Sequence, residues 1–290
     1  MIREIIKSIS HEQWNIGFIE NSLSEIMRGV DLNVKWLKHN SQNSWFADPF
    51  VLDVNDYEIH LLVEEFCRPI NRGRISRLIV DKESYELRRL DVVLELPTHL
   101  SFPAIRRKDG DIYIYPENGE SGSLNLYHYK PRTNECTLET RILDGAIEDA
   151  VIANIDGQEW LFCTEMPNPN GNVLKVYKKK AQGKYIHYTD CSFVENVARM
   201  AGDFFEYNGK IYRPTQECNR QYGHAVTLQE VHLESNQFSF EEVQRFHSVH
   251  PQLNVGMHTF NMFKDVIVTD ALGFRHMWIR NLLKLLGILR

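Results

Sequence analysis

Residues 149–165 read DAVIANIDGQEWLFCTE, two apolar runs of strand length joined by Asp156-Gly157, a pair that favours a two-residue hairpin turn. The same outline returns at 48–65 (DPFVLDVNDYEIHLLVEE), at 102–117 (FPAIRRKDGDIYIYPE) and at 201–217 (AGDFFEYNGKIYRPTQE), with a weaker fifth copy at 256–271 (GMHTFNMFKDVIVTDA). In each copy a strand runs to a tight turn and a second strand runs back. The turns fall at Asp56, Gly110, Gly157, Gly209 and Asp265, about 50 residues apart, and a period of that size with several strands per unit marks propeller blades. Five units predict an all-β chain folded as a five-bladed β-propeller over residues 1–274, with residues 275–290 as a separate tail.

Segments between the hairpins supply the outer strands, among them SRLIVD (76–81) and RLDVVLEL (89–96). By position, QWNIGFIE (13–20) is the strand that closes the ring against the last blade. NSLSEIMRG (21–29), with Asn21 or Ser22 as N-cap, reads as one short N-terminal helix.

Composition narrows the function classes. Charged residues make up 25% and hydrophobic residues 43%, the balance of a folded globular chain. The formal net charge of −6 argues against nucleic acid as a partner, because a phosphate-binding surface shows as a basic excess. Five cysteines, widely spaced and without a CxxC pair, suggest neither a disulfide framework nor a zinc site. The start of the chain lacks the apolar core of a signal peptide, so the expected compartment is the cytoplasm. No cofactor or metal is demanded by any spacing.

Eight residues before each turn lie Asp48, Phe102, Asp149 and Ala201, with Met257 or His258 in the fifth copy. In a propeller these axial-strand starts gather around one mouth, so Asp48 and Asp149 are expected to face one pocket. The second strands end in Glu64 and Glu65, Glu117, Glu165 and Glu217, which predicts an acidic mouth suited to acid–base chemistry on a sugar. Taken singly, each such acid is as readily a turn starter or a solvated strand end. A second group, Arg199, Arg213 and Arg220 with Gln216, Glu217, Tyr222, His258 and Asn261, has the forked donors that match phosphate oxygens. The alternative for each arginine is a carboxylate partner at a blade junction, and for His258 a satisfied core position.

The ordered set WFADPF, FPAIRRKDGDIYIYPE, EDAVIANIDGQEWLF, RMAGDFFEYNGKIYRPTQEC, YGHAV and GMHTFN resembles the domain at the N-terminus of glucosamine inositolphosphorylceramide transferases, also found free-standing in bacteria. That domain is in turn similar to the five-bladed propellers of glycoside hydrolase family 43. The resemblance implies a general base at Asp48 and an orienting carboxylate at Asp149. The family's general acid is a Glu opening the next axial strand, where this chain has Met200 or Ala201; Asp203, Glu117 or Glu217 are the substitutes within reach.

An unactivated glycoside needs a proton donor for its leaving group, whereas a sugar phosphate needs positive charge instead. The expected function is therefore an inverting glycosyltransferase with Asp48 as base and the arginines as phosphate clamp. The expected partners are an activated sugar phosphate donor, furanosyl or pentosyl, and a glycan or lipid-linked glycan acceptor in surface polysaccharide synthesis. A furanoside hydrolase and a non-catalytic glycan-binding propeller are the alternatives. In the tail, Trp278, Leu282, Leu285, Leu286 and Leu289 alternate with Arg275, Arg280, Lys284 and Arg290. This predicts a C-terminal amphipathic helix on an anionic membrane at its inner face, or one docked on protein.

Overall fold

The structure, a computed structural model, describes residues 11–274. The first strand, β1 (Glu12–Ile19), pairs antiparallel along its whole length with the last strand of the chain. A short helix α1 (Leu23–Met27) follows, then β2 (Val34–Trp36), which pairs on the free side of β1. Ser22 is the N-cap. Its hydroxyl accepts from the Glu25 amide while the Glu25 carboxylate accepts from the Ser22 amide, a reciprocal cap that makes five helical residues stable.

The hairpin repeat then unrolls as four-stranded antiparallel sheets. Blade 1 is β3 (Ser44–Val54), β4 (Glu58–Cys67), β5 (Arg72–Asp81) and β6 (Leu87–Leu94); blade 2 is β7 (Ser101–Lys108), β8 (Asp111–Glu117), β9 (Ser123–Lys130) and β10 (Glu135–Asp144). Blade 3 is β11 (Ile147–Ile155), β12 (Gln158–Glu165), β13 (Val173–Lys179) and β14 (Tyr185–Ser192). Blade 4 is β15 (Phe205–Tyr207), β16 (Lys210–Glu217), β17 (Ala225–Glu234) and β18 (Gln237–Phe246). Blade 5 is β19 (Phe260–Phe263) and β20 (Val266–Phe274), completed by β1 and β2. The chain is thus a five-bladed β-propeller whose last blade is completed by its N-terminal strands, which ties the two ends of the ring together. The C-terminal helix expected over 275–290 lies outside the described residues.

At Asp156-Gly157 and Asn208-Gly209 both residues of the turn have positive φ (53° and 72°, 50° and 74°), the geometry of a tight hairpin matched to strand twist. Buried aromatic and aliphatic side chains fill the wedges between blades, including Phe50, Phe102, Trp160 and Phe162.

Arg213 also lies in such a wedge. Its side chain is fully buried, with the guanidinium 4.9 Å from the Phe193 ring and 4.5 Å from that of Phe240, and it donates to Gln229 Oε1 and to the carbonyls of Val197 and Ala198. The expectation that Arg213 serves as a phosphate ligand is therefore corrected: its donors are spent inside the protein.

Candidate active site

Asp48, Phe102 and Asp149 share more than a sequence register. Each has positive φ (49°, 42° and 44°), and each sits at a break in the pairing register of its hairpin. Such a bulge interrupts the alternation of the strand and re-aims the side chain. A left-handed backbone at three non-glycine residues costs free energy at each, and strain of this kind collects where a side chain must be held in one direction. The bulges turn Asp48 and Asp149 to the same mouth of the propeller, close enough that the charge of Asp149 raises the Asp48 carboxyl.

Asp48 is buried. Its Oδ2 accepts from the Phe102 amide at 3.0 Å and its Oδ1 from Thr259 Oγ1 at 3.2 Å, while its own amide donates to Asp270 Oδ2 at 3.2 Å. His258 lies beside it, with Nε2 3.6 Å from Asp48 Oδ1 and Nδ1 2.7 Å from Asp270 Oδ2, and stacks on Trp14 with ring centroids 4.0 Å apart. Burial raises the Asp48 carboxyl to about 6, with His258 pulling it down and Asp149 and Asp270 pushing it up. Burial disfavours charge on His258, but Asp270 and Asp48 outweigh it and raise the imidazole to about 9. At neutral pH the mouth therefore holds an imidazolium between two carboxylates, and Asp48 is mostly ionised. Each carboxylate oxygen has two acceptor positions, so lone pairs on Asp48 remain for a substrate hydroxyl.

A second centre is built around Arg199. Its Nε donates to Asp149 Oδ2 at 2.5 Å, Nη2 to Glu117 Oε2 at 2.9 Å and to Glu148 Oε2 at 3.4 Å, and Nη1 to Asn170 Oδ1 at 2.9 Å. Gln216 Nε2 adds a bond to Asp149 Oδ2 at 2.6 Å. Glu117 also accepts from the Asp149 amide at 3.0 Å and from Ser101 Oγ at 3.0 Å. Burial raises both carboxyls to about 7 against the pull of Arg199, so Asp149 and Glu117 titrate together near neutral pH. On blade 1, Glu64 lies 3.0 Å from His99 Nε2 and is likewise raised by burial to about 7.

Glu64 and Glu117 occupy one address: they pair with the residues just before Asp48 and Phe102, namely Ala47 and Ser101. Glu65 and Glu165 are one residue further along, opposite Phe46 and Ile147, and that single step turns them to other partners. Glu65 binds Ser44, Arg74 and Ser76, and Glu165 binds Tyr177. The expected ring of second-strand acids at the mouth is thereby reduced.

Three further expectations change. Glu217 is clasped by His224 Nδ1 and the Asn219 amide, both at 2.6 Å; burial raises its carboxyl, but these donors outweigh it and hold it below the ordinary range, so it is no proton donor. Asp203 has no hydrogen bond to Asp48, Asp149 or Arg199; it lines a cavity of about 270 Å³ with Ile105 and Ala153, where burial raises it to about 7 and Arg107 opposes that. Asn261 is a staple between blades rather than a substrate ligand: Oδ1 accepts from the Asp203 amide at 2.7 Å and Nδ2 donates to Pro49 O at 2.9 Å. Gly202 permits that closeness, since a Cβ there would lie 2.1 Å from Phe260 O. Tyr222 stands at the rim, 37% exposed, with the Arg199 guanidinium 5.0 Å from its ring, and Arg220 is exposed on the same loop.

Sequence reasoning misses Asp270, although it is the penultimate residue of the fifth copy and lies mid-strand in β20. Glu148, Trp14 and His99 are missed too, the last two because aromatic and histidine positions carry no register signal of their own. Asp48, His258 and Asp270 each offer a ligand atom within 4.8 Å of one another. His258 Nδ1 lies 2.7 Å from Asp270 Oδ2, so a cation bound through that nitrogen would have to displace the proton the pair shares.

Comparison with known proteins adds a family. A profile described as glucosamine inositolphosphorylceramide transferase 1, N-terminal, matches residues 30–265. The chain is 26% identical over 210 residues to glucosamine inositolphosphorylceramide transferase 1 of Arabidopsis thaliana, covering 70% of this chain and 27% of that protein. It is 27% identical over 199 residues to the protein of the same name from Oryza sativa subsp. indica, covering 65% and 26%. The chain thus spans about a quarter of the length of these relatives. In fold it is similar to a family 43 β-xylosidase/α-arabinofuranosidase from a compost microbial metagenome, solved with xylotriose, at 10% identity and a TM-score of 0.50, covering 82% of this chain and 93% of that one.

Proposed function

The chain belongs to the family of the N-terminal domain of glucosamine inositolphosphorylceramide transferase 1, and from that membership and the geometry of the mouth we propose that the propeller is an inverting glycosyltransferase. Asp48 takes the proton of an acceptor hydroxyl as its oxygen attacks the anomeric carbon, and the bond from that carbon to the donor's phosphate oxygen breaks. Asp149, fixed by Arg199 and Gln216, orients the sugar.

The observation that carries this reading is an asymmetry. A mostly ionised carboxylate stands at the start of the first axial strand, while the matching position of blade 4 is Ala201, fully buried and without a proton to give. A leaving phosphate requires positive charge and no acid. Arg199 is engaged by Asp149, Glu117 and Glu148, the carboxylate-partner alternative, so Arg220 on the exposed rim is the arginine left to meet the phosphate, and the imidazolium of His258 keeps Asp48 ionised. The expected clamp of three arginines is thus reduced to Arg220, since Arg213 is spent in the interior and Arg199 on carboxylates.

The relatives' name pairs glucosamine with inositolphosphorylceramide, and we propose a donor and acceptor of that kind, an activated sugar and a glycolipid. A furanosyl or pentosyl donor is the alternative to a hexosamine one, and a membrane-facing tail over 275–290 fits a glycolipid acceptor with either. Hydrolysis is the second reading, favoured by Glu117: of the three candidate proton donors it is the one held beside Asp149, and burial raises it to about 7. The test compares transfer from an activated sugar phosphate with hydrolysis of an aryl furanoside, in wild type, Asp48→Asn and Glu117→Gln. Hydrolysis lost in both variants overturns the transferase, and turnover in neither assay leaves a glycan-binding propeller.

A further inference from the structure

Away from the mouth, a cleft of about 420 Å³ opens between blades 2 and 3. Its lining carries Arg106, Arg141, Lys179 and Lys184 and, among the described residues, no Asp or Glu. That stands out on a chain whose formal net charge is −6.

Two of these cations are held from outside the lining. Arg106 donates to both oxygens of Glu159, at 3.0 and 2.6 Å, and Lys179 donates to the same carboxylate at 2.8 Å, with Tyr185 as a further donor. Guanidinium and ammonium are therefore fixed before any ligand arrives, and each keeps unused N–H groups. On the rim, Lys184 closes the β13–β14 turn, its carbonyl accepting from the Lys180 amide at 2.8 Å, and Arg141 pairs with the exposed Asp144 at 2.7 Å. Four cations set against Glu159 and Asp144 leave a surplus of two positive charges. Leu126 and Ile152 add apolar surface.

We propose that this cleft is a second ligand site that takes a phosphate monoester, its phosphate against the cations and its organic body on Leu126 and Ile152. A phosphate monoester carries a charge of about −1.5 to −2, which matches the surplus. The cleft also has the volume of a small-molecule site, roughly 300–1,000 Å³. The ester is either a soluble metabolite or a lipid headgroup, and the chemistry recognised is the same. The site is separate from the mouth and does not rest on the function proposed for it.

The test uses the whole chain. Phenyl phosphate is titrated calorimetrically, and phosphatidylcholine vesicles with and without phosphatidic acid are used for co-sedimentation. Lys184→Glu and Arg141→Glu reverse exposed rim charges, Lys35→Glu is the remote control, and Asp48→Asn reports on the mouth. Saturable binding of one equivalent, weakened by about tenfold or more in each rim variant and unchanged in Lys35→Glu and Asp48→Asn, is expected. Phenyl phosphate binding without vesicle recruitment identifies a soluble ester, and recruitment that requires phosphatidic acid and Lys184 identifies a headgroup. Binding of neither probe, or binding that the rim variants leave intact, overturns the proposal.

Discussion

His258 reaches across the junction of blades 5 and 1 to lie with Nε2 3.6 Å from Asp48 Oδ1, while its Nδ1 is 2.7 Å from Asp270 Oδ2. The three groups behave as one electrostatic unit. Asp270 is fully buried, and although burial alone raises its carboxyl, His258 and Thr259 outweigh that and hold it below the ordinary range. Asp270 thus keeps the imidazole protonated, and the imidazolium in turn keeps Asp48 ionised at neutral pH.

A base must be deprotonated to act, so activity falls as pH drops through the Asp48 value of about 6. Replacing His258 by Gln removes the cation that lowers that value. The acid limb of the kcat/KM profile moves up by about one unit or more. A limb that stays in place in His258→Gln would show that His258 does not tune the base.

The mouth also sets a pH dependence of stability. Glu117 has a folded value of about 7, raised from the ordinary 4.5 first by burial, so its contribution is complete below the unfolded value and is lost as pH rises through the folded one. Glu117→Gln removes that loss. The variant gains about 1–3 kcal/mol at pH 8 relative to wild type and little at pH 5, where the wild-type carboxyl is already protonated. Thermal denaturation at the two pH values measures this difference.

The three arginines separate by mechanism. Arg199→Met leaves Asp149, Glu117 and Glu148 without their common cation and costs about 3–5 kcal/mol, together with activity. Arg213→Met strands the Gln229 amide oxygen and two carbonyls in the interior and costs about 2–4 kcal/mol. Arg220→Ala, at an exposed position, leaves the denaturant midpoint unchanged and raises the donor KM several-fold. Urea denaturation and steady-state kinetics on the three variants distinguish these outcomes.

Ring closure through β1 makes the N-terminal strand part of the cooperative fold. Ile16 is fully buried on the strand that pairs with the last blade, and Ile16→Ala costs about 2–4 kcal/mol, seen as a lower midpoint of one transition. A separate early transition would mean that blade 5 folds apart from the rest.

Much of this is legible in the sequence because the propeller repeats its hairpin. The turns at Asp56 and at Asp156-Gly157 mark the register, and counting eight residues back from Asp56 and Gly157 finds Asp48 and Asp149, which share one mouth. The same counting is less reliable at the far strand ends, where bulges insert extra residues: Glu117 points to the mouth but Glu165, one step out of register, does not. The arginines are harder still. Nothing local distinguishes Arg199, which meets carboxylates from blades 2 and 3, from Arg213, which lies between Phe193 and Phe240, because both environments are made by residues distant in sequence. Asp270 becomes visible once the register is extended to the end of the fifth copy.

The most direct measurement is transfer from a nucleotide-linked sugar to a glycolipid acceptor by wild type and by Asp48→Asn. Wild type is expected to give product with inverted anomeric configuration, and Asp48→Asn to show a fall in kcat of about 100- to 10,000-fold with the fold and donor affinity retained. Transfer that proceeds equally well in Asp48→Asn would contradict a catalytic base at that position.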